Sequence, residues 1–393
     1  MSIYIDHTFN YSAYESFKQP LSNSLKIIPR DVIVFLVFAT MFIMIKSIDD
    51  ITNTIYWLYT SFILIMIYGY IQVFSIFNIA IFQSIYDVIW PLIDSGWAGE
   101  DRRLAYIYGL PRRINITMPE ASEVSHYFQS AIYPFLLASV ISRYTMYKKK
   151  VFDIPVEFYI FMASMPLLLF TISSAGYFIL AAQISLALIL YLKYYGITKK
   201  LIWTLTLVGM AAAISIFIVA TVFYEDIAGI DLDVISKVFS TENGSSNTRY
   251  ALALAGLGVF YKFPLFGTGP ANTNFFMEAF IPNWAKDNYE IINAIQTQAI
   301  PTLNYWVELL ATVGILGSAI YFYLMYKTIK PYIMLTVKTE YDIFLKCSFY
   351  LYLLSTVMHG FNSSSMAFIY IWVLWAFYIC LITTKISLAR WDQ

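Results

Sequence analysis

The fold is decided by the stretch TENGSSNTRYALALAGLGVFYKFPLFGTGPANTNFF (Thr241–Phe276) together with PTLNYWVELLATVGILG (Pro301–Gly317). Hydrophobic runs precede and follow this stretch, but most of it is too polar to cross a bilayer. It contains one arginine, Arg249, near the start of a helix-like run, and then a Gly-Thr-Gly turn. The chain re-enters an apolar run through Asn304 and a Gly-x-x-Gly pair. We expect much of the chemistry of the protein to lie here.

The composition predicts an all-α, polytopic integral membrane protein. Of the 393 residues, 59% are hydrophobic and only 13% are charged, whereas a soluble domain of this length needs far more polar surface. Several apolar runs are long enough to cross a hydrocarbon core of about 30 Å. They are too continuous for the alternating strands of a membrane barrel. A formal net charge of zero gives no argument for a nucleic-acid partner.

The apolar runs predict about ten transmembrane helices with both termini in the cytoplasm, in a single membrane domain over residues 1–393. The basic cluster Arg143 and Lys148–Lys150 fixes the orientation, because positive charge favours the cytoplasmic side. Two external loops are predicted, at about 94–124 and 224–302, and the larger one contains helices. The predicted spans are 32–48, two within 54–93 that turn near 73–75, 125–142, two within 154–194 that turn at 173–176, 201–223, 303–327, 346–359 and 366–384.

Basic residues in the predicted external loops are unexpected, because the positive-inside bias disfavours them there. A guanidinium is a fixed fork of donors that fits phosphate oxygens. The ordinary alternative for each residue is pairing with nearby acids or with lipid head groups. These residues are Arg102, Arg103, Arg112, Arg113, Lys237, Arg249, Lys262 and Lys286.

Arg249 has the most informative position among the external cations. Residues 243–248 are small and polar, and several are of the types that cap helix N-termini, so Arg249 is predicted to lie in the first turn of a helix over 249–262. A helix N-terminus favours anions, and an arginine there makes sense if an anion is present. The alternative is an ordinary surface helix start with Glu242 as the partner.

Other polar residues each carry two interpretations. The turn at Gly267–Gly269 lacks the strand context of a phosphate loop, so close backbone approach at a helix-to-loop junction is the favoured role. Glu120 could act as a base on a hydroxyl or stabilise a helix start. Glu308 is either a functional acid inside the membrane or a residue near the interface whose side chain reaches water. For His359, the favoured interpretation is a polar residue at the membrane boundary, and the second is a catalytic base.

The histidines and the two cysteines show no metal-ligand spacing, so neither a metal nor a cofactor is expected.

The largest loop resembles the O-antigen polymerase and ligase superfamily of bacterial envelope proteins. The shared pattern is an arginine, a helix of small and apolar residues, and Pro-x-x-Gly-x-Gly. Here these are Arg249, residues 250–262 and Pro264 to Gly269, with glycine at 267 and 269.

Two further stretches are similar to this superfamily and also depart from it. The ligase branch has His-Asn, nine residues, and then Gly-x-x-Gly; this chain has Leu303-Asn304 and Gly314 to Gly317 at the same spacing. The histidine, which is thought to be catalytic in ligases, is therefore replaced by leucine. Arg103 through Glu120-Ala121-Ser122 is similar to the Arg…Gly…Glu-Pro-Ser stretch of polymerases, with alanine in place of proline.

The resemblance implies a metal-independent glycosyltransferase of the bacterial inner membrane whose active site faces the periplasm. A polymerase is favoured; the alternatives are an O-antigen ligase and, in another class, a polysaccharide flippase or transporter. The implied partners are undecaprenyl-diphosphate-linked glycans, membrane lipid and a chain-length regulator protein. The expected catalytic residues are Glu120 as base and Arg249 as diphosphate ligand. The expected substrate-binding residues are Arg102, Arg103, Arg112, Arg113, Lys262, Gly267, Gly269, Asn304, Glu308 and His359.

Overall fold

The described part of the chain is almost entirely helical. The computed structural model describes residues 32–33, 35–77, 79–93, 114–116, 118, 121–147, 149–171, 173–197, 244–270, 272–296, 300–363 and 369–391. The expectation of an all-α membrane protein is confirmed by these helices and their apolar character. The predicted span 201–223, most of the predicted loop at 94–124 and the part of the larger loop before Gly244 lie outside the described residues.

Thirteen α-helices lie within the described ranges. They are α1 (Phe35–Met44), α2 (Ile48–Ile76), α3 (Ala80–Ile93), α4 (Ala121–Tyr127), α5 (Tyr133–Ser142), α6 (Val156–Phe170), α7 (Ser174–Tyr195), α8 (Gly244–Lys262), α9 (Asn274–Met277), α10 (Tyr289–Gln296), α11 (Tyr305–Met334), α12 (Glu340–Gly360) and α13 (Ile369–Trp391). A π-helical segment (Phe128–Ile132) joins α4 to α5, and 3-10 turns lie at Glu278–Phe280 and Asn283–Ala285.

The chain divides into two compact units. The first comprises the described parts of residues 1–46, 234–334 and 357–393, and the second those of residues 47–233 and 335–356. The prediction of a single domain is not tested by this division of contacts.

The two long apolar runs of the second unit are each split into two helices, as predicted. Between α2 and α3 the break falls after Ile76, so the predicted turn at 73–75 was placed too early and lies inside α2. Ser47 and Asp50 form a capping box at the start of α2, with bonds of 3.1 and 2.9 Å, which satisfies two backbone groups. At the second break, the Ser173 hydroxyl caps α7 by accepting from the Gly176 N–H.

A short β-hairpin precedes α6. Its strands β1 (Lys150–Val151) and β2 (Ile154–Pro155) are antiparallel, with Val151 opposite Ile154. Phe152 and Asp153 both have positive φ, as a two-residue hairpin turn of type I′ requires. The sequence was expected to form helices and loops only, and this hairpin lies at the predicted cytoplasmic end of the span.

Three described helices are long and apolar enough to cross a membrane, judged by length and composition. They are Ile48–Ile76, Ala175–Tyr195 and Tyr305–Met334; shorter apolar helices are Phe35–Met44, Val156–Phe170 and Ile371–Thr384. The count of ten spans and the cytoplasmic position of the termini stay predictions.

Residues 244–313 of the first unit form a compact helical subdomain rather than an open polar loop. The predicted helix over 249–262 is confirmed, although it begins five residues earlier, at Gly244. The subdomain has an apolar core of its own. Its buried members are Ala251, Leu252, Ala255, Val259, Phe275, Phe276, Met277, Ile281, Ala285, Ile291, Ile300 and Ala311.

Helix α11 is broken at Gly314, whose φ of 66° and ψ of −169° are not helical. The break divides α11 into a short arm (305–313) and a long arm (315–334). The prediction of one continuous span over 303–327 is therefore wrong. Only the long arm, at about 1.5 Å per residue, has the length of about 30 Å that a crossing needs.

Aromatic contacts across the break show that the two arms fold toward each other. The rings of Tyr305 and Tyr321 have centroids 6.1 Å apart, and those of Trp306 and Phe322 are also 6.1 Å apart. Residues sixteen positions apart on a straight helix would be separated by about 24 Å. The chain thus turns sharply at Gly314, and the short arm remains with the helical subdomain.

Candidate functional site

Arg249 lies in the second turn of α8, not in its first. Because α8 starts at Gly244, the free N–H groups of the helix N-terminus belong to the first four residues, and Arg249 is the sixth. The prediction that Arg249 lies in the first turn is therefore wrong, and its joint action with the helix N-terminus on one anion stays a prediction. Arg249 is thus a cationic residue on one face of α8, beyond the free N–H groups of its first turn.

Arg249 is half-buried, and Glu242, its alternative partner, lies outside the described residues. Arg249 lies seven residues before Gly256, and hence on the same face of α8. A Cβ on Gly256 would lie 2.7 Å from Val307 Cγ1 and 3.1 Å from Thr302 Cγ2. This face therefore packs directly on the start of the short arm, and Arg249 is displaced from that contact by about 10 Å along the helix.

The Gly-Thr-Gly turn is joined to the broken helix by backbone hydrogen bonds. We call this contact the backbone junction, formed by residues 264–269 and 311–316. Four bonds make it: Thr268 N–H to Ala311 C=O (2.9 Å), Gly269 N–H to Thr312 C=O (2.9 Å), Ile315 N–H to Pro264 C=O (2.8 Å) and Leu316 N–H to Leu265 C=O (3.2 Å).

At the junction, hydrogen-bond partners are exchanged between the broken helix α11 and the Pro264–Gly269 turn. In an unbroken helix, the N–H groups of Ile315 and Leu316 would donate to the carbonyls of Ala311 and Thr312. Those carbonyls accept from the turn instead, and the turn supplies acceptors to the two N–H groups. These four groups are therefore all paired again, as backbone groups at or near membrane depth need to be.

Glycine is required on both sides of the junction. Gly267 has a φ of 65°, and a Cβ on it would lie 2.3 Å from the Thr312 carbonyl carbon. A Cβ on Gly314 would lie 2.4 Å from the Leu265 carbonyl carbon. The expected close backbone approach is confirmed. The N–H groups of Gly267 and Gly269 are engaged by Phe263 and Thr312, so a ligand at this turn would meet carbonyls and side chains rather than amides.

A chain of three hydroxyls, two buried and one half-buried, supports the junction, and it was not predicted from the sequence. The Thr273 hydroxyl lies 3.1 Å from that of Thr268 and 3.2 Å from that of Thr312. The Thr268 hydroxyl also lies 3.3 Å from the Ala311 carbonyl. The available signal was the clustering of threonines around glycines on both segments.

Asn304 begins the short arm and ties it to the end of α12. Its Oδ1 accepts from the Val307 N–H at 3.1 Å, which is an N-cap bond, and its Nδ2 donates to the Phe361 carbonyl at 3.4 Å. Both ends of the amide are therefore used within the protein. The predicted substrate contact of Asn304 stays a prediction, and its observed role is to position the arm.

Trp306 makes the second tie between these segments. Its indole N–H donates to the Val357 carbonyl at 3.1 Å. A Cβ on Gly360 would lie 2.5 Å from the indole nitrogen, so only glycine leaves room for the ring. His359, expected at an outer boundary, is buried beside this contact.

The side chains of Glu308 and Lys262 both contact residues close to them in the sequence or in the same subdomain. Glu308 lies in the first turn of the short arm, and its Oε2 is 3.5 Å from the Thr302 hydroxyl. Lys262 is exposed at the end of α8, with its ammonium 5.7 Å from the ring centroids of both Phe263 and Phe276. Roles of these two residues in substrate binding stay predictions.

Leu303 occupies the position of the ligase histidine, and its side chain packs against the apolar core of the helical subdomain. Its φ of 49° is in the left-handed region, which costs a non-glycine residue roughly 1–2 kcal/mol. The surrounding fold therefore imposes an unfavourable backbone at this position and fills it with an apolar side chain.

The predicted base and the paired arginines lie outside the described residues. These are Glu120, Arg102, Arg103, Arg112 and Arg113, and their roles stay predictions. Across the described ranges, no group of three or more His, Cys, Asp or Glu could hold a metal ion.

Comparison with known families supports the resemblance seen in the sequence. Residues 159–322 match the family model described as O-antigen ligase. The matched region contains Arg249, the backbone junction and Leu303, and it confirms the likeness to the O-antigen polymerase and ligase superfamily. No curated protein and no solved structure matches the chain. The match indicates a membrane-embedded, glycosyltransferase-like enzyme of envelope glycan synthesis and does not distinguish a polymerase from a ligase.

Proposed function

We propose that this protein is a repeat-unit polymerase for a surface polysaccharide of the O-antigen type. It would transfer a growing glycan from undecaprenyl diphosphate to a lipid-linked repeat unit at the outer face of the inner membrane. The observation that carries the choice of polymerase is Leu303. Where a ligase has histidine, this chain places an apolar side chain against the subdomain core, and no proton can be accepted there.

The proposed reaction is a displacement at the anomeric carbon of the donor glycan. A hydroxyl at the non-reducing end of the acceptor repeat forms the new C–O bond. The bond from the anomeric carbon to the diphosphate oxygen breaks, and undecaprenyl diphosphate leaves with the electron pair. The hydroxyl proton passes to a base, for which Glu120 is the candidate.

Arg249 is proposed to bind the departing diphosphate. Negative charge grows on the diphosphate as its bond to the sugar breaks, and a preorganised guanidinium stabilises such charge most effectively where little water is present. The half-buried position of Arg249 supports this role. Arg102 and Arg103, or Arg112 and Arg113, would assist.

A ligase is the second candidate, because the matched family carries that description. It would move a finished glycan to lipid A–core by the same displacement, so Arg249 would keep its role. The two functions differ in the acceptor and in the residue that takes the proton. The chain-length regulator protein is a proposed partner only of the polymerase.

The break in helix α11 is a feature that transporters also have, but the hydrogen bonds at the break argue against a transporter. Broken helices in transporters present free backbone groups to ions or substrates. Helix α11 is broken at Gly314, but the four backbone groups at the break are all engaged by the Pro264–Gly269 turn. The break therefore offers no such backbone site.

One reconstitution experiment separates the three functions. Purified protein in liposomes receives undecaprenyl-diphosphate-linked single repeats, with or without lipid A–core, and the products are separated on a gel. A ladder on the lipid carrier without lipid A–core supports the polymerase. Product formed only on lipid A–core would overturn it in favour of a ligase. Unaltered repeats that appear across the bilayer would overturn it in favour of a transporter.

A further inference from the structure

Four large apolar residues on the two segments of the backbone junction are exposed. Leu265 and Phe266 are 57% and 58% exposed, and Ile315 and Leu316 are 50% and 47% exposed. The hydrogen bond from the Leu316 N–H to the Leu265 carbonyl keeps the two pairs side by side. We call these four residues the apolar edge. Large exposed apolar residues grouped on neighbouring segments in this way indicate a surface that contacts something other than water.

The depth of the junction follows from the length of the long arm. This arm has twenty residues and is about 30 Å long, which matches the hydrocarbon core. If Met334 lies at one boundary, Gly314 lies at the other. If instead the boundary is near Lys327 or Lys330, the arm above it is only about 18–23 Å long, and Gly314 lies inside the hydrocarbon region. Any tilt of the arm moves Gly314 deeper.

We propose that Pro264–Phe266 dip into the membrane leaflet beside the long arm, with the apolar edge in contact with lipid acyl chains. The occupant of this surface is bilayer lipid, because the edge is continuous with the exposed apolar face of a membrane-spanning arm. At the junction the carbonyls of Pro264 and Leu265 accept from the N–H groups of Ile315 and Leu316, which lowers the cost of placing this backbone near lipid. The helical subdomain is thereby anchored to the leaflet that it faces.

The exposed face of α8 extends the same lipid contact. Tyr250, Leu257 and Tyr261 lie at intervals of seven and four residues, which places them on one face, and they are 61%, 41% and 86% exposed. The opposite face of α8 fills the subdomain core, so the helix is apolar on both sides. Tyrosines along such a face suit the membrane–water interface. We therefore place α8 along the surface of the leaflet.

This orientation sets the height of Arg249, which precedes Tyr250 in sequence. A helix that lies along the leaflet holds both its ends near the head groups. If α8 instead stood upright on the junction, Arg249 would be about 20 Å above Lys262. The lipid contact itself stands without the proposed function. Its use, to keep Arg249 level with a lipid-linked diphosphate, rests on that function.

Spin labels on the full chain in liposomes test the placement. Cys347 and Cys380 are both buried and are replaced by alanine, and single labels are attached at Phe266→Cys or Leu257→Cys. Ile320→Cys, exposed on the long arm, is the lipid-facing control, and Asp287→Cys, exposed on the subdomain, is the aqueous control. Collision rates with oxygen report lipid, and those with a soluble nickel chelate report water.

The expected result is that labels at 266 and 257 shift toward the oxygen-rich values of position 320. Values like those of position 287 would overturn the proposal, because the edge would then face water. Low collision rates with both reagents would also overturn it, since the edge would then be covered by protein, such as a second copy. Leu257 lies away from the junction, so its label tests the lipid contact even if labelling at 266 disturbs folding. No glycan takes part, so failure here is distinct from failure of the proposed function.

Discussion

The backbone of Gly314 passes so close to Leu265 that a Cβ on the glycine would lie 2.4 Å from the Leu265 carbonyl carbon and oxygen. No rotation of a side chain relieves such an overlap, because the obstructing atoms belong to the backbone. The approach allows Ile315 and Leu316 to donate to the turn that contains Leu265.

Gly314→Ala should destabilise the protein more than Gly196→Ala. Both glycines have a positive φ and an extended ψ, with Gly196 at 65° and −161°, so alanine incurs similar backbone strain of about 1–3 kcal/mol at each. Nothing lies within 4 Å of a Cβ on Gly196. The midpoints of thermal unfolding in one detergent give the comparison. Equal losses of stability in the two variants would mean that the junction accommodates the added Cβ at no further energetic cost, which would contradict the prediction.

Thr273→Val should lower stability by about 1–2 kcal/mol, because it removes the middle hydroxyl of a buried chain and leaves the others with fewer partners. Thr328→Val is the matched control, since that hydroxyl bonds only to the Leu324 carbonyl of its own helix. Denaturation of both variants beside the parent measures the difference. If the two variants unfold alike, the hydroxyl chain does not support the junction.

Arg249→Ala should abolish the glycan ladder in reconstituted liposomes, with a loss of roughly 10²-fold or more if the guanidinium stabilises the leaving diphosphate. Arg249→Lys should retain part of the activity, because lysine keeps the charge without the two-pronged geometry. Lys286→Ala removes an exposed cation of the same subdomain and should leave the ladder unchanged. Full activity of Arg249→Ala at normal protein level would refute the diphosphate role.

Asn304 variants separate positioning from substrate contact. Asn304→Ala should cost about 1 kcal/mol or more, because it removes the N-cap and the bond to Phe361. Asn304→Asp keeps an acceptor for the Val307 N–H and loses only the donor, so its stability should be intermediate. Thermal unfolding and ladder formation are measured on the same samples. Loss of the ladder in Asn304→Asp without loss of stability would instead indicate direct substrate contact.

The local parts of the fold were predictable from sequence because local signals specify them. The two split apolar runs and helix α8 follow from run length and periodicity. The Gly267–Gly269 turn predicted a close backbone approach, since only glycine tolerates both the positive φ and the contact. The start of α8 was placed late because its first turn is made of polar residues that are equally common in loops.

The break at Gly314 could not be predicted from the segment that contains it. The apolar character of residues 303–327 predicts one continuous span, because an isolated glycine is tolerated inside membrane helices. The break is stable because a turn some fifty residues earlier supplies replacement hydrogen bonds. Such a contact between distant segments leaves no periodic signal in either one. The placement of Arg249 in the first turn of α8 was wrong for a related reason, since it depended on one helix boundary.

The exchange of partners at the junction also bears on how relatives of this protein could be recognised. Its four bonds use backbone atoms alone, so most side chains along both segments can change without altering the contact. The constraint that remains is a spacing of glycines: two that are separated by one residue, and a third inside a later apolar run. Proteins that share the backbone junction can therefore differ at most other positions and still be identified by the positions at which only glycine fits.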